Sequence, residues 1–232
     1  LVASHASAER SRVDESRTVE PGGFVHIKVV RGDLDVIGWE RDEVRVEGLL
    51  DARMRRFVFE VNGNDTLVDV QLPRRSGGGW GDASDLTVHV PRASSVEISV
   101  VSTDTRVENV EGGLELGSVS GEVSIRNVRD RLDLSSVSGE VEMRDVSGRT
   151  RATSVSGDIE CYRCAGEGSY QTVSGGVVLR NAAEDLKLES VSGDIEVEAD
   201  RLIAVSGHSI SGDVDISGEL SSKGIVEFDT VS

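Results

Sequence analysis

Two cysteines with two residues between them, Cys161-Tyr-Arg-Cys164, are the first residues in this chain whose types and spacing could do chemistry. A redox Cys-x-x-Cys works at a helix N-terminus, where the dipole lowers the thiol pKa, and no helical periodicity runs through the surrounding residues. Zinc would need two further ligands, and neither His nor Cys stands at the matching places of the neighbouring repeats. The pair is therefore expected to be structural, as buried thiols or as a local disulfide in an oxidising compartment.

Acids come second. Glu122, Glu140, Asp158, Asp194 and Asp213 each follow a glycine, and Glu142, Glu160, Glu196 and Asp215 stand two residues further along. Stacked about 4.8 Å apart, like charges repel by roughly 1 kcal/mol per neighbour even in a water-like dielectric. Ca²⁺ could relieve that through carboxylate oxygens. The simpler reading is a solvated acidic face that blocks sheet-to-sheet aggregation, and the same rows are the candidate interaction surface. Serines recur as Ser118, Ser136, Ser154 and Ser190, and as Ser120, Ser138, Ser156, Ser174 and Ser192. A nucleophile needs a base beside it, but the four His are scattered at 5, 26, 89 and 208, and only His208 has serine neighbours in the array. The serines are expected to form hydroxyl ladders at the surface. No catalytic residue, resident metal or cofactor is assigned.

These residues owe their spacing to a repeat. Ser-Val-Ser-Gly-Glu-Val at 118–123 returns at 136–141, and variants of it return at 154, 172, 190 and 209. The glycines step by 18 from 121 to 193, then by 19 to 212. A fixed step means one unit stacked on copies of itself. Within each unit apolar and polar residues alternate, and the phase slips about every nine residues, so each unit reads as two strands and two corners. The expected fold is all-β, a parallel β-solenoid with coils of about 18 residues. Three apolar columns are read as inward: Val119, Val137, Val155, Val173, Val191 and Ile210; Val123, Val141, Ile159, Val177, Ile195 and Val214; Ile125, Met143, Cys161, Leu179, Val197 and Ile216. The glycine column is read as an inward position too tight for a side chain.

Before the repeat the texture differs. Residues 1–19 read as a signal-peptide remnant, with Ala6-Ser-Ala8 as a cleavage site, and a polar leader. Residues 20–36 begin with the turn Glu20-Pro-Gly-Gly23 and supply the first solenoid strands, because Val25 to Val36 overlays Val96 to Val107 with the same alternation, 71 residues apart. Residues 37–95 are read as an antiparallel insert and cap, with a hairpin turn at Asn62-Gly-Asn-Asp65. Residues 96–232 are the repeat solenoid. Loops are expected at 74–82 and 200–208. At the far end the repeat demands a glycine after Thr230-Val-Ser232; either the stretch stops inside a coil or the last coil is open, and an open end offers self-association.

Composition agrees and excludes. Aromatic residues are 3% of the chain, so its core must be filled by Val, Ile and Leu. A net charge of −17 argues against nucleic acid as partner, since phosphate contacts need clustered Lys and Arg. No apolar run is long enough to span a membrane. A polysaccharide-active β-helix would need paired carboxylates in a non-repeating groove, and periodic acids are a mark of scaffold.

The order of Pro-Gly-Gly, Gly-Asp-Leu-Asp-Val-Ile-Gly-Trp39, Asp42-Glu-Val-Arg-Val46, Leu86-Thr-Val-His-Val-Pro91 and serial Ser-Val-Ser-Gly-[Asp/Glu] resembles the bacterial "putative adhesin" domain family of unknown function across nearly the whole chain. The resemblance implies an exported protein of the periplasm or cell envelope, β-helical and without established chemistry. The expectation is a non-enzymatic scaffold with an acidic surface that binds an unknown envelope component. A polysaccharide-active enzyme and a calcium-stabilised adhesion module are the alternatives.

Overall fold

The computed structural model describes residues 10–73, 83–182 and 184–231, and these contain sixteen strands and no helix. The N-terminal strands are β1 (Ser11–Thr18), β2 (Phe24–Trp39), β3 (Glu43–Leu50), β4 (Arg56–Asn62), β5 (Asp65–Gln71), β6 (Ser84–Pro91) and β7 (Ser95–Glu108). The repeat supplies β8 (Leu114–Ser120), β9 (Val123–Arg126), β10 (Arg131–Ser138), β11 (Val141–Ser156) and β12 (Ile159–Ser174). It continues with β13 (Val177–Arg180), β14 (Asp185–Ser192), β15 (Ile195–Ser211) and β16 (Val214–Thr230). The chain is a β-solenoid.

Each coil gives one strand segment to each of two rows, and every neighbour along a row is parallel. In one row Val123 faces Val141, which faces Ile159, then Val177 and Ile195. In the other Leu114 faces Leu132, then Thr150, Gly168 and Leu186. Side chains from both rows meet between them. Val123, Val141, Ile159 and Val177 are fully buried, and so are Ile125, Met143 and Leu179. Leu116, Leu134, Ala152, Tyr170 and Leu188 close the core from the opposite row. Burying a Val, Leu or Ile contributes about 1.5–3 kcal/mol, and no coil buries its faces without its neighbours.

One expected column is inverted. Val119, Val137, Val155, Val173, Val191 and Ile210 point to solvent and are 43–48% exposed, while Ser118, Ser136, Ser154, Thr172, Ser190 and Ser209 are buried. The cause is period two: Leu132, Leu134 and Ser136 lie on one strand, so an inward Leu134 forces Ser136 in and Val137 out. The glycines then turn the corner. A Cβ on Gly139 would lie 2.1 Å from the Gly121 carbonyl oxygen, and one on Gly157 2.2 Å from that of Gly139. The crowding is thus between stacked backbones. A second corner uses the left-handed region at Asn109, Asn127, Asp145, Arg163 and Asn181, with φ between 50° and 62°. Asn and Asp tolerate that conformation, and Asn127 Nδ2 donates to Asn109 Oδ1 at 2.6 Å, one coil away.

The N-terminal part joins the same stack. β2 pairs with β7 from Phe24↔Ser95 to Ile37↔Glu108, with Val25 opposite Val96 as the overlay requires. The 37–95 segment is antiparallel only in part. β5 and β6 run parallel to β2 on its other side and extend both rows by a coil, whereas β4 is antiparallel to β5 and β3 to β6. The 11–18 part of the polar leader is a strand, β1, antiparallel to β3. The proposed cleavage site and the 74–82 loop lie outside the described residues. Asp51, buried at 2% exposure, accepts from Arg31 Nε at 2.5 Å and from the Arg53 N–H at 2.7 Å. Burial works to raise its pKa, but these hydrogen bonds prevail and hold it below the ordinary value.

Residues 200–208 form no protruding loop. They belong to β15, which absorbs its extra residue as register irregularities at Ala199/Arg201 and Leu202/Ala204. β16 pairs with β15 alone; its Val214, Ile216 and Phe228 are partly buried, and Leu220, Ile225 and Val226 are exposed.

Candidate functional site

Acids gather on and beside the row that holds β9 and β13. Glu142 stands opposite Glu160, and Glu196 opposite Asp215, so these four occupy one outward line that Val178 interrupts. Glu122, Glu140, Asp158, Asp194 and Asp213 follow the corner glycines in a second line, and all five are exposed. Burial raises the Glu140 pKa, and Glu160, Glu122, Asp158 and Glu142 add to it by charge repulsion. The two acid types act differently. Asp158 Oδ1 accepts the Gly176 N–H at 2.7 Å, and Asp194 Oδ1 accepts the Asp213 N–H at 2.9 Å, each from the next coil. Asp104 does the same for Glu122 N–H at 2.9 Å. The shorter aspartate therefore ties coil to coil. Some charge is compensated locally: Arg144 Nε donates to Glu142 at 2.6 Å, and Arg180 lies 3.6 Å from Glu196.

A further acidic cleft forms where β2, β6 and β7 turn together, lined by Asp33, Asp35, Asp85, Asp104 and Glu122 with Arg106. Arg106 donates to Asp35 at 2.9 Å. The Asp33 pKa is raised by burial and by Asp104, Asp85 and Asp35, against the opposing pull of Arg106. Among the described residues no group of three or more His, Cys, Asp or Glu is arranged to hold a metal ion.

Cys161 and Cys164 face Met143 and Val146 of the preceding coil, and both are buried at 2% exposure. A disulfide joins them across the left-handed corner, with Cα atoms 6.1 Å apart. Tyr162 and Arg163, between them, remain outside. Arg163 holds Asp145 in a two-pronged pair at 2.6 and 2.7 Å and covers the Tyr162 ring at 4.7 Å. That pairing keeps the Asp145 carboxyl below its ordinary pKa. The same coil carries Tyr170, the largest fully buried side chain, whose hydroxyl lies 3.6 Å from Cys161 Sγ. Burial pushes its phenol pKa up.

The nucleophile test fails by placement. His208 is exposed on β15 opposite Glu189, His26 Nδ1 lies 2.8 Å from Glu97, and His89 stacks on Trp39 with ring centroids 4.7 Å apart. Ser118, Ser136 and Ser190 turn inward to carbonyls of their own coil. Ser120 and Ser138 stay outside and donate to the carbonyls of Val101 and Val119 in the preceding coil, at 3.0 and 3.1 Å.

No curated protein matches the chain. Two solved structures share its fold. A protein of Parabacteroides merdae named as a "putative adhesin" aligns with a TM-score of 0.60 at 10% identity, covering 97% of each chain. A Parabacteroides distasonis protein named as a "putative lipid binding protein" aligns with a TM-score of 0.59 at 14% identity, covering 97% of this chain and 98% of that one. The serial coils, the glycine corners and the flanking N-terminal strands all fall within residues 25–227, over which the sequence matches the Toastrack DUF4097 family, and the chain belongs to that family.

Proposed function

We propose that the chain is a non-enzymatic, exported interaction scaffold, a rigid rod whose acidic lines meet another component of the cell envelope. One observation carries the reading: the outward carboxylates repeat with the coils, and Glu140 sits among four other acids that raise its pKa. A repeating surface suits an extended partner met at several points, whereas catalysis needs groups that converge once. The names of the two structural neighbours, an adhesin and a lipid-binding protein, are consistent with binding in place of catalysis.

The test changes Glu122, Glu140, Glu142 and Glu160 together to Gln, leaving Asp158 and Asp194 to hold their corners. Immobilised native chain is expected to retain a defined envelope component that the variant loses, with retention falling as salt rises. Identical capture by both baits removes the acidic lines as a recognition surface.

A further inference from the structure

The outward Val column is the feature that neither the core nor the acidic lines explain. From Val101 to Ile210 it places one side chain per coil on the surface, each 43–48% exposed. Every member is Val or Ile. If strand propensity alone were at stake, Thr would serve as well, being β-branched and nearly the same shape. The outward position two residues earlier shows how free a surface column is, for it reads Ser99, Gly117, Ser135, Thr153, Gln171 and Glu189. Uniformity without burial indicates that something covers the ridge.

We propose that two copies of this chain pair side by side along this ridge. The ridge is about 29 Å long with a tooth about every 4.8 Å, and a second copy carries the same period, so the teeth of one seat between those of the other along the full length. Charge points the same way. At −17 per chain two copies repel, and the ridge is where they can meet, because Ser flanks it on both sides and the acids lie past the corner glycine. The hydroxyls of Ser120 and Ser138 are spent on carbonyls of the preceding coil, so the ridge needs no polar partner across the contact. Covering the exposed halves of the teeth and their flanks on both copies removes about 1,000 Å² from water, the lower bound for a specific pairing. One patch meeting its own copy closes as a two-fold dimer and does not polymerise.

Sedimentation velocity on the full chain, from about 1 to 200 µM, reads the pairing at affinities typical of a small interface. The comparison is Val137→Ser/Val155→Ser/Val173→Ser, with circular dichroism to check the fold, since these side chains lie outside the core. Expected is a reversible monomer–dimer equilibrium that stops at two copies and is weakened at least about tenfold in the triple variant. A native chain that stays monomeric throughout, a dimer indifferent to the triple variant, or growth beyond two copies overturns the proposal. Flotation with phosphatidylcholine vesicles covers the other apolar occupant: native chain that floats while the triple variant does not makes the ridge a lipid surface and also overturns it.

Discussion

Tyr170 is the one aromatic side chain wholly inside the stack, and its neighbours are cut to fit. In its column it stands between Ala152 and Leu188, and beside it on the strand is Gly168. A Cβ on Gly168 would lie 2.7 Å from the Tyr170 ring and 3.0 Å from Leu186 Cδ2. Overfilling a packed core costs about 1–3 kcal/mol, so Gly168→Ala is expected to lower the urea midpoint. Tyr170→Leu matches the Leu116, Leu134 and Leu188 of the same column but leaves space above Ala152. The two changes share one volume, so the double variant should lose less than the sum of the singles, by roughly 0.5–3 kcal/mol. Additive losses would mean that Gly168 is there for backbone reasons and not for the ring. Tyr170 was legible as a core position from the repeat, but the Gly168 requirement was not, because it depends on where a ring lies across the core.

At the scale of the strand and its corner, the repeat fixes which residues are equivalent, while hydrophobicity alone fails to say which way they point. Columns in which Val, Ile or Leu alternates with acids were legible, as at Val141, Met143, Val123 and Ile125. The Ser-Val-Ser segment was not, because its most apolar residue faces out and the serines before it face in. Cys161 and Cys164 were legible as a structural pair since each replaces a core residue of the coils beside it. The acid lines were legible as lines, but the division of labour within them was not, for it depends on the corner that brings the Gly176 N–H to Asp158. Glu140 makes no such bond and is only crowded by other acids. Its raised pKa means that the folded chain holds this proton to higher pH than the unfolded chain, so stability falls as pH rises from the ordinary glutamate value through the raised one. Glu140→Gln should therefore raise the melting temperature at pH 7 at low salt, and the gain should vanish by about pH 4. A variant no more stable than the parent at pH 7 would show that the acids are fully screened by solvent.

Across the whole molecule the consequence of stacking is that coils are interchangeable only in whole units. Excising residues 123–140, which is 18 residues, brings Val141 into the place of Val123, so that β11 meets β7 where β9 did, and Thr150 meets Leu114 where Leu132 did. Every inward column keeps its phase, and stability, nearly a sum over neighbouring coils, should fall by the share of one coil while the protein still melts as a folded solenoid. Adding a residue is also tolerable in principle: β15 already carries a 19-residue spacing through its irregular register. Removing one is different. The corners have no slack, since a Cβ on Gly175 or Gly193 would already lie 2.4 or 2.0 Å from the carbonyl oxygen of the preceding coil's glycine. A strand that slips by one residue turns its core side chains to water. Excision of the 17 residues 123–139 should thus abolish the cooperative melt seen by circular dichroism, whereas the 18-residue excision keeps it. If both variants melt alike, the solenoid can re-register its corners, and the 18-residue step is then a matter of sequence history with no mechanical basis.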